Sequence, residues 1–248
     1  HWLIQNQCAK IVSIVSTKVL IACEESQAIT KEFRALGVEA YSCDLLPASG
    51  GHTEWHIQGD AIKEAYSGKY GLMMAHPPCT YLAVSGAAWL YNKDGSRNEE
   101  RWRNQYEALE FVKLLMNAPI DHIAVENPIS VISTQIRKPD QIIHPWQFGD
   151  EASKSTCLWL KNLPHIKPTK IVGKGDFFEW TDKNGVKKKQ AQWYMDALSE
   201  AKTAEERRTL RSKTFIGMAK AIASQWQHFD SFPIQRSIYD ELKEMNNA

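Results

Sequence analysis

From Lys18 onward, short unbroken apolar runs alternate with stretches whose apolar residues recur every third or fourth position. Residues 18–22 read as a strand buried on both faces. Residues 28–36 read as a helix with Ile29, Phe33 and Leu36 on one face, closed by Gly37. Residues 38–42, 71–75 and 120–125 read as further strands. Residues 104–116 read as a helix with Tyr106, Leu109, Val112 and Met116 on one stripe. Strand, helix, strand with short connections constrains the chain to an α/β fold: a doubly wound, mostly parallel, Rossmann-like sheet. Ligands of such sheets bind outside the carboxyl ends of the strands. That rule singles out Cys23, Glu24, Ser26 and Gln27, then Asp44, Asp60, the segment from His76 to Cys79, and the segment from Glu126 to Pro128.

Composition narrows the classes. The chain has 248 residues, 43% of them hydrophobic, enough for one large domain or one domain with a small insert. Lys and Arg total 30 against 29 for Asp and Glu, which excludes a uniformly basic coat but leaves room for a local patch. No run of about 18 uncharged apolar residues occurs, so no membrane span is expected. Residues 11–23 are apolar but broken by Ser13, Ser16, Thr17 and Lys18, and they lack the pattern of a secretion signal. The five cysteines, Cys8, Cys23, Cys43, Cys79 and Cys157, are odd in number and never spaced C-x-x-C. Neither a disulfide framework nor a metal site is expected, and a reducing cytoplasm fits.

The texture changes after residue 160. Residues 161–190 hold eight lysines against three acids, with Phe177, Phe178 and Trp180 interleaved. Asn184-Gly185 suggests a hairpin tip. Helix formers dominate residues 191–210, residues 212–226 read as an amphipathic helix, and the polar tail from Ser231 reads as helical near its end. The expected organisation is a core over 1–160, a small basic insert over 161–210, and a C-terminal helix over 211–248 that returns to the core.

The sharpest motif is His76-Pro77-Pro78-Cys79-Thr80-Tyr81 at a strand end. Two prolines fix φ and cannot donate backbone hydrogen bonds, so they make a stiff exit that projects Cys79. Taken alone, Cys79 also fits the usual buried, inert thiol. Glu126-Asn127-Pro128 ends a second strand, and strand ends of one sheet converge on one crevice. A thiolate beside an acid suits covalent attack on an electron-poor ring, with the acid stabilising charge or a proton on a ring nitrogen. Asp44 can accept from ribose hydroxyls and Asp60 from an adenine amine, although either acid alone fits a helix N-cap equally well. No G-x-G-x-x-G follows the first strand, which disfavours a dinucleotide dehydrogenase. Glu24 and Glu25 repel a pyrophosphate but tolerate a cationic sulfonium.

With these residues in view, the chain resembles the DNA (cytosine-5) methyltransferases, most closely the short phage-type members, over residues 18–226. His76-Pro77-Pro78-Cys79 resembles the family's Pro-Cys nucleophile motif, and Val125-Glu126-Asn127-Pro128 its Glu-Asn motif. Residues 144–149, 153–156 and 158–160 are similar to the short members. Ser212-Lys213-Thr214, leading into residues 217–223, resembles the last motif, which closes over the cofactor. The resemblance implies S-adenosylmethionine as methyl donor, S-adenosylhomocysteine as product, and no metal. Cys23, Glu24, Ser26, Gln27, Asp44, Leu45, Asp60, Ala61, Pro77, Ser212 and Thr214 would line the cofactor. Cys79 would attack carbon 6 of a flipped-out cytosine. Glu126 would support nitrogen 3, with Asn127 and Lys154 completing the catalytic set.

Three departures from the family pattern stand out. Ser26 and Gln27 occupy positions where small glycines are usual. The base-contacting motif falls on either Arg137 or Lys154, and the sequence does not decide between them. The recognition region is short, which predicts a short or loosely read target. Residues 89–103, with Trp89, Tyr91, Arg97, Arg101 and Arg103, read either as an ordinary surface loop or as a loop closing over DNA. Ser85, Arg97, Arg101, Arg137, Lys187, Lys188 and Lys189 are the expected contacts to double-stranded DNA, although the three lysines also fit a solvated tip. A monomer is expected. The competing readings are a pyrimidine-5 methyltransferase acting on RNA and a catalytically silent DNA-binding relative. An amino-group methyltransferase is disfavoured because it would carry an aromatic residue where Cys79 stands.

Overall fold

The computed structural model describes residues 17–203, 206, 209–210 and 212–235. Cys8, both expected chain ends and the expected helical end of the tail lie outside the described residues. The elements are β1 (Val19–Ala22), α1 (Ala28–Ala35), β2 (Ala40–Asp44), β3 (His56–Gln58), α2 (Ala61–Ala65), β4 (Leu72–Ala75), α3 (Glu99–Met116), β5 (His122–Asn127), α4 (Ile132–Gln135), β6 (Gln141–Ile143), β7 (Thr156–Lys161), β8 (Phe177–Thr181), β9 (Lys187–Ala191), α5 (Gln192–Glu200) and α6 (Ile216–Trp226).

The first seven strands form one sheet in the order β3-β2-β1-β4-β5-β7-β6. Strands β3, β2, β1, β4 and β5 run parallel, and β7 is antiparallel to both β5 and β6. This is the doubly wound, mostly parallel α/β sheet expected from the sequence, a Rossmann-like order with an antiparallel strand inserted before the edge. Ala22 lies opposite Cys43 and Ala75, and Ala75 opposite Val125, so β1, β2, β4 and β5 reach the same level at their carboxyl ends.

Strands β1 and β4 are apolar throughout because both faces are covered. Val19, Ile21, Leu72 and Met74 pack on one side with Phe33 of α1 and with Ile222 and Trp226 of α6. Leu20, Met73, Ile123 and Val125 pack on the other side with Leu109, Val112 and Leu115 of α3. That face of α3 differs from the sequence reading. The helix begins at Glu99, Gln105 takes the buried position at its amino-terminal end, and Tyr106 is 64% exposed.

The C-terminal helix begins at Ile216, so Ser212 and Thr214 precede it. A side chain at Gly217 would strike the carbonyl oxygen of Phe148, and the Gly217 amide donates to Asp150 Oδ2 at 3.0 Å. Only glycine lets the helix start so close to that loop. The basic segment forms a separate antiparallel hairpin, β8–β9. Gly185 at φ 77° and the Asp182 carboxylate shape its tip. Among the described residues no helix is long and apolar enough to cross a membrane.

Trp226 is fully buried and its indole donates to Pro164 O at 3.1 Å. Trp226→Ala is expected to cost about 3–5 kcal/mol, read as a lower denaturation midpoint in urea.

Candidate active site

Two loop anchors set the geometry at the strand ends. The His76 amide donates to Ala22 O at 2.9 Å, and Asn127 Nδ2 donates to Pro77 O at 2.9 Å. Asn127 is 1% exposed, so the second bond is shielded from water. Pro78 and Cys79 then emerge into solvent. Cys79 is exposed, which removes the reading as a buried, inert thiol. The amides of Leu82 and Ala83 donate to Cys79 O at 3.0 and 2.9 Å, turning the chain back at once. The sequence reading ends β5 at Val125. The strand runs to Asn127 because β7 pairs Leu158 with Glu126 and Cys157 with Asn127.

Helix α3 braces the returning loop. Arg101 donates from Nη2 to Thr80 O at 2.9 Å and lies over the Tyr81 ring, and Gln105 donates to Tyr81 O at 2.9 Å. The sequence reading assigns Arg101 to DNA. Its guanidinium is engaged within the loop by Thr80 O and the Tyr81 ring, just beyond Cys79. Residues 91–97 form a small turn closed by Asn92 N to Ser96 O at 2.8 Å, and Asn98 caps α3. Arg97 lies over the Trp102 ring, and Arg97, Arg103, Ser85, Trp89 and Tyr91 all remain exposed.

The electrostatics centre on Glu126. Its Oε2 lies 3.0 Å from His76 Nδ1. Burial pushes the Glu126 carboxyl up, but the His76 hydrogen bond and the charges of His76 and Lys154 outweigh it and hold the group below the usual carboxylate range. Lys154 thus acts on Glu126 while its ammonium donates to Lys213 O at 3.1 Å. Arg137 stands elsewhere, bonded to Asp140 at 2.7 Å and to Leu160 O at 3.0 Å, toward the far end of β7. Lys154 is thus within electrostatic reach of Glu126, whereas Arg137 bonds at the far end of β7. The Cys157 thiol is pushed up to about 11 by burial and by the Glu126 charge.

On the other side of the crevice, buried Glu24 accepts from Ile29 N at 2.7 Å, Thr30 Oγ1 at 2.7 Å and Thr30 N at 3.3 Å. It closes the amino end of α1, where a phosphate would otherwise dock. Burial raises the Glu24 carboxyl, opposed by the His76 charge and these hydrogen bonds.

Cys23 and Gln27 both take left-handed backbone, φ 60° and 58°, which explains why glycine suits such positions. The Gln27 side chain is spent on structure. Its Nε2 donates to His52 O at 2.7 Å, and its Oε1 accepts from His52 N at 3.0 Å. Ser26 abuts Gly50, whose missing side chain would strike Ser26 O. Burial and nearby Asp44 raise the Cys23 thiol. Asp44 ends β2 and accepts from Leu46 N at 2.9 Å, with Leu45 exposed beside it. Asp60 caps α2 ahead of buried Ala61, both cap bonds falling on Oδ1. Ser212 is exposed and donates to Thr209 O, and Thr214 is partly buried. On the hairpin, Lys187, Lys188 and Lys189 are exposed, with Lys188 3.8 Å from Asp182 and Lys189 over the Phe177 ring.

Sequence reasoning gives no role to His76 or Gln105. His76 is legible only as the neighbour of the Pro-Pro-Cys run. Gln105 hides in an otherwise apolar stripe.

No protein-family model matches the chain, and no curated protein matches it. Among solved structures it is similar to a triple mutant of DNMT2 from Spodoptera frugiperda, at 12% identity and a TM-score of 0.38, over 64% of this chain and 55% of that one. The chain thus spans little more than half the length of that protein. The fold class rests on the strand order itself.

Glu24 gives a pH prediction. Its carboxyl is raised in the folded state above the ordinary 4.5, so the unfolded chain releases the proton first. Its contribution to stability is full below 4.5 and declines as pH rises through the folded value. Urea unfolding across that range is expected to show a decline in the wild type that shrinks in Glu24→Gln.

Proposed function

We propose that this chain is an S-adenosylmethionine-dependent DNA (cytosine-5) methyltransferase of the family it resembles, acting through a covalent Cys79 adduct. One observation carries the reading. Exposed Cys79 and the Glu126 carboxylate stand at neighbouring strand ends, tied together by the bond from Asn127 to Pro77. Cys79, as the thiolate, adds to carbon 6 of the cytosine, and Glu126 supports nitrogen 3 as charge develops there. Carbon 5 then becomes enamine-like and nucleophilic. S-adenosylmethionine, when bound, supplies an electrophilic methyl group on a sulfonium. A base removes the carbon 5 proton and Cys79 leaves.

The residues present suit that donor. Glu24 occupies the anion site at the α1 terminus, which disfavours a pyrophosphate there and leaves room for a sulfonium. In this reading Asp44 takes the ribose hydroxyls, Asp60 offers the adenine amine the oxygen its cap bonds leave unused, and exposed Leu45 meets an apolar ring face. Lys154 steadies the Glu126 side of the base pocket. Arg97 and Lys187, Lys188 and Lys189 supply cations for phosphates, and the short β8–β9 hairpin suits a short target. A monomer is sufficient to present this crevice to one duplex.

The test is methyl transfer from labelled S-adenosylmethionine to unmethylated duplex DNA, wild type beside Cys79→Ala, with nucleoside analysis. The expected result is 5-methylcytosine from the wild type only. A wild type that binds S-adenosylmethionine but leaves duplex DNA unmodified overturns the DNA assignment, and a parallel RNA arm then separates an RNA enzyme from a silent relative. Replacing Lys187, Lys188 and Lys189 together by Ala is expected to weaken binding to all duplexes alike. The salt dependence should flatten by about 0.9 in log–log slope for each phosphate that is no longer neutralised.

A further inference from the structure

Among the described residues, Glu126 meets the protein through a single side-chain bond. Its Oε2 lies 3.0 Å from His76 Nδ1, with 16% and 18% of the His76 and Glu126 side-chain surfaces exposed. The imidazole is held in place from both sides. Its own amide is anchored to Ala22 O, and the next residue is a proline whose carbonyl is anchored to Asn127. A residue before proline is confined to extended backbone, so His76 has little freedom to turn away. His76 Nε2 is buried and bonds to nothing among the described residues.

This arrangement meets a chemical need. Addition of a thiolate to carbon 6 pushes the electron pair of the 5,6 double bond toward nitrogen 3, which must gain a proton. A carboxyl held ionised by its surroundings carries none. Its hydrogen-bond partner is an imidazole, a group that holds a proton near neutral pH.

We infer that His76 is a positioning residue that stores the proton Glu126 delivers to the cytosine ring. The inference rests on the proposed methyl transfer. As the Cys79 Sγ–carbon 6 bond forms, the proton of His76 Nδ1 passes to Glu126, Glu126 gives one proton to nitrogen 3, and His76 becomes neutral. When Cys79 leaves, the thiolate takes back its bonding pair, nitrogen 3 returns the proton to Glu126, and His76 is recharged. The groups that face this pair are Glu24 from the β1–α1 loop, Lys154 from the segment before β7, Cys157 on β7, and Cys79 three residues along. The His76 hydrogen bond and the Lys154 charge both favour the carboxylate form of Glu126, so the pair shares one hydrogen-bonded proton between Nδ1 and Oε2.

The experiment measures single-turnover methylation of PCR-amplified, unmethylated duplex DNA from about pH 5.5 to about pH 9. It compares wild type, His76→Asn and His76→Gln. Asn keeps an N–H where Nδ1 was but carries no exchangeable charge. In wild type the proton is held by the pair, and in H76N by the carboxyl alone. The descending alkaline limb of H76N is expected to move down by at least about one pH unit, a loss of about tenfold at its alkaline end, while the acid-side rate stays near wild type. If H76N fails to fold, H76Q must show the same shift of its limb. Profiles that superimpose on wild type across the range make His76 a structural donor and overturn the inference alone. A wild type that transfers no methyl group to DNA overturns the proposed function, and this inference with it.

Discussion

The bond from Asn127 to Pro77 is the interaction from which the site geometry hangs. The Pro77 residue is buried just past the end of β4, and leaving a buried carbonyl unpaired costs about 1–3 kcal/mol. Asn127 supplies the donor from the neighbouring strand. Two prolines then limit the backbone between that anchor and Cys79. The position of the thiol is therefore set by the β4–β5 register and two fixed φ angles rather than by a long mobile loop. The bracing of Thr80 and Tyr81 by Arg101 and Gln105 extends the same stiffness beyond the cysteine.

Two carboxylates share this crevice, and the surroundings treat them in opposite ways. Glu24 has three hydrogen bonds but is so deeply buried that its carboxyl is raised. Glu126 is lowered despite its burial, because its hydrogen bond comes from His76 and the Lys154 ammonium is near. A pair of acids pushed apart in this way is the arrangement that lets one group shape a ligand site while the other takes part in proton chemistry. His76 enters both balances, since its charge lowers the Glu24 and the Glu126 carboxyls alike.

Much of this was legible because the central strands are wholly apolar. Val19–Ala22 and Leu72–Ala75 are buried at every position, and such runs have few alternatives. The errors have local causes. Strand β2 starts at Ala40 rather than Val38 because Gly37, at φ 80°, turns the chain and the Val38 amide bonds back to Phe33 O. Strand β5 absorbs Glu126 and Asn127, polar residues that resemble a loop until β7 is known to pair beside them. Strands β3 and β6 have three residues each, too few for a periodic signal. The bracing by Arg101 and Gln105 has no local pattern, because the loop carbonyls they bond lie 21 and 24 positions away in the chain. The motifs around Cys79 and Glu126 were legible as residues. What the sequence lacked was the proton partner, since the contact between His76 and Glu126 spans fifty positions.

The return of the C-terminal helix follows from one glycine. Because Gly217 has no side chain, α6 begins against Phe148 and takes Asp150 as a cap on its first turn. That contact draws residues 213–215 alongside the segment before β7, where the Lys154 ammonium holds Lys213 O. Trp193 ties the same segment to α5 through Ser153 O at 2.9 Å. The lysine that acts on Glu126 from outside its own strand pair is therefore positioned by the last helix of the core and by the helix after the basic hairpin.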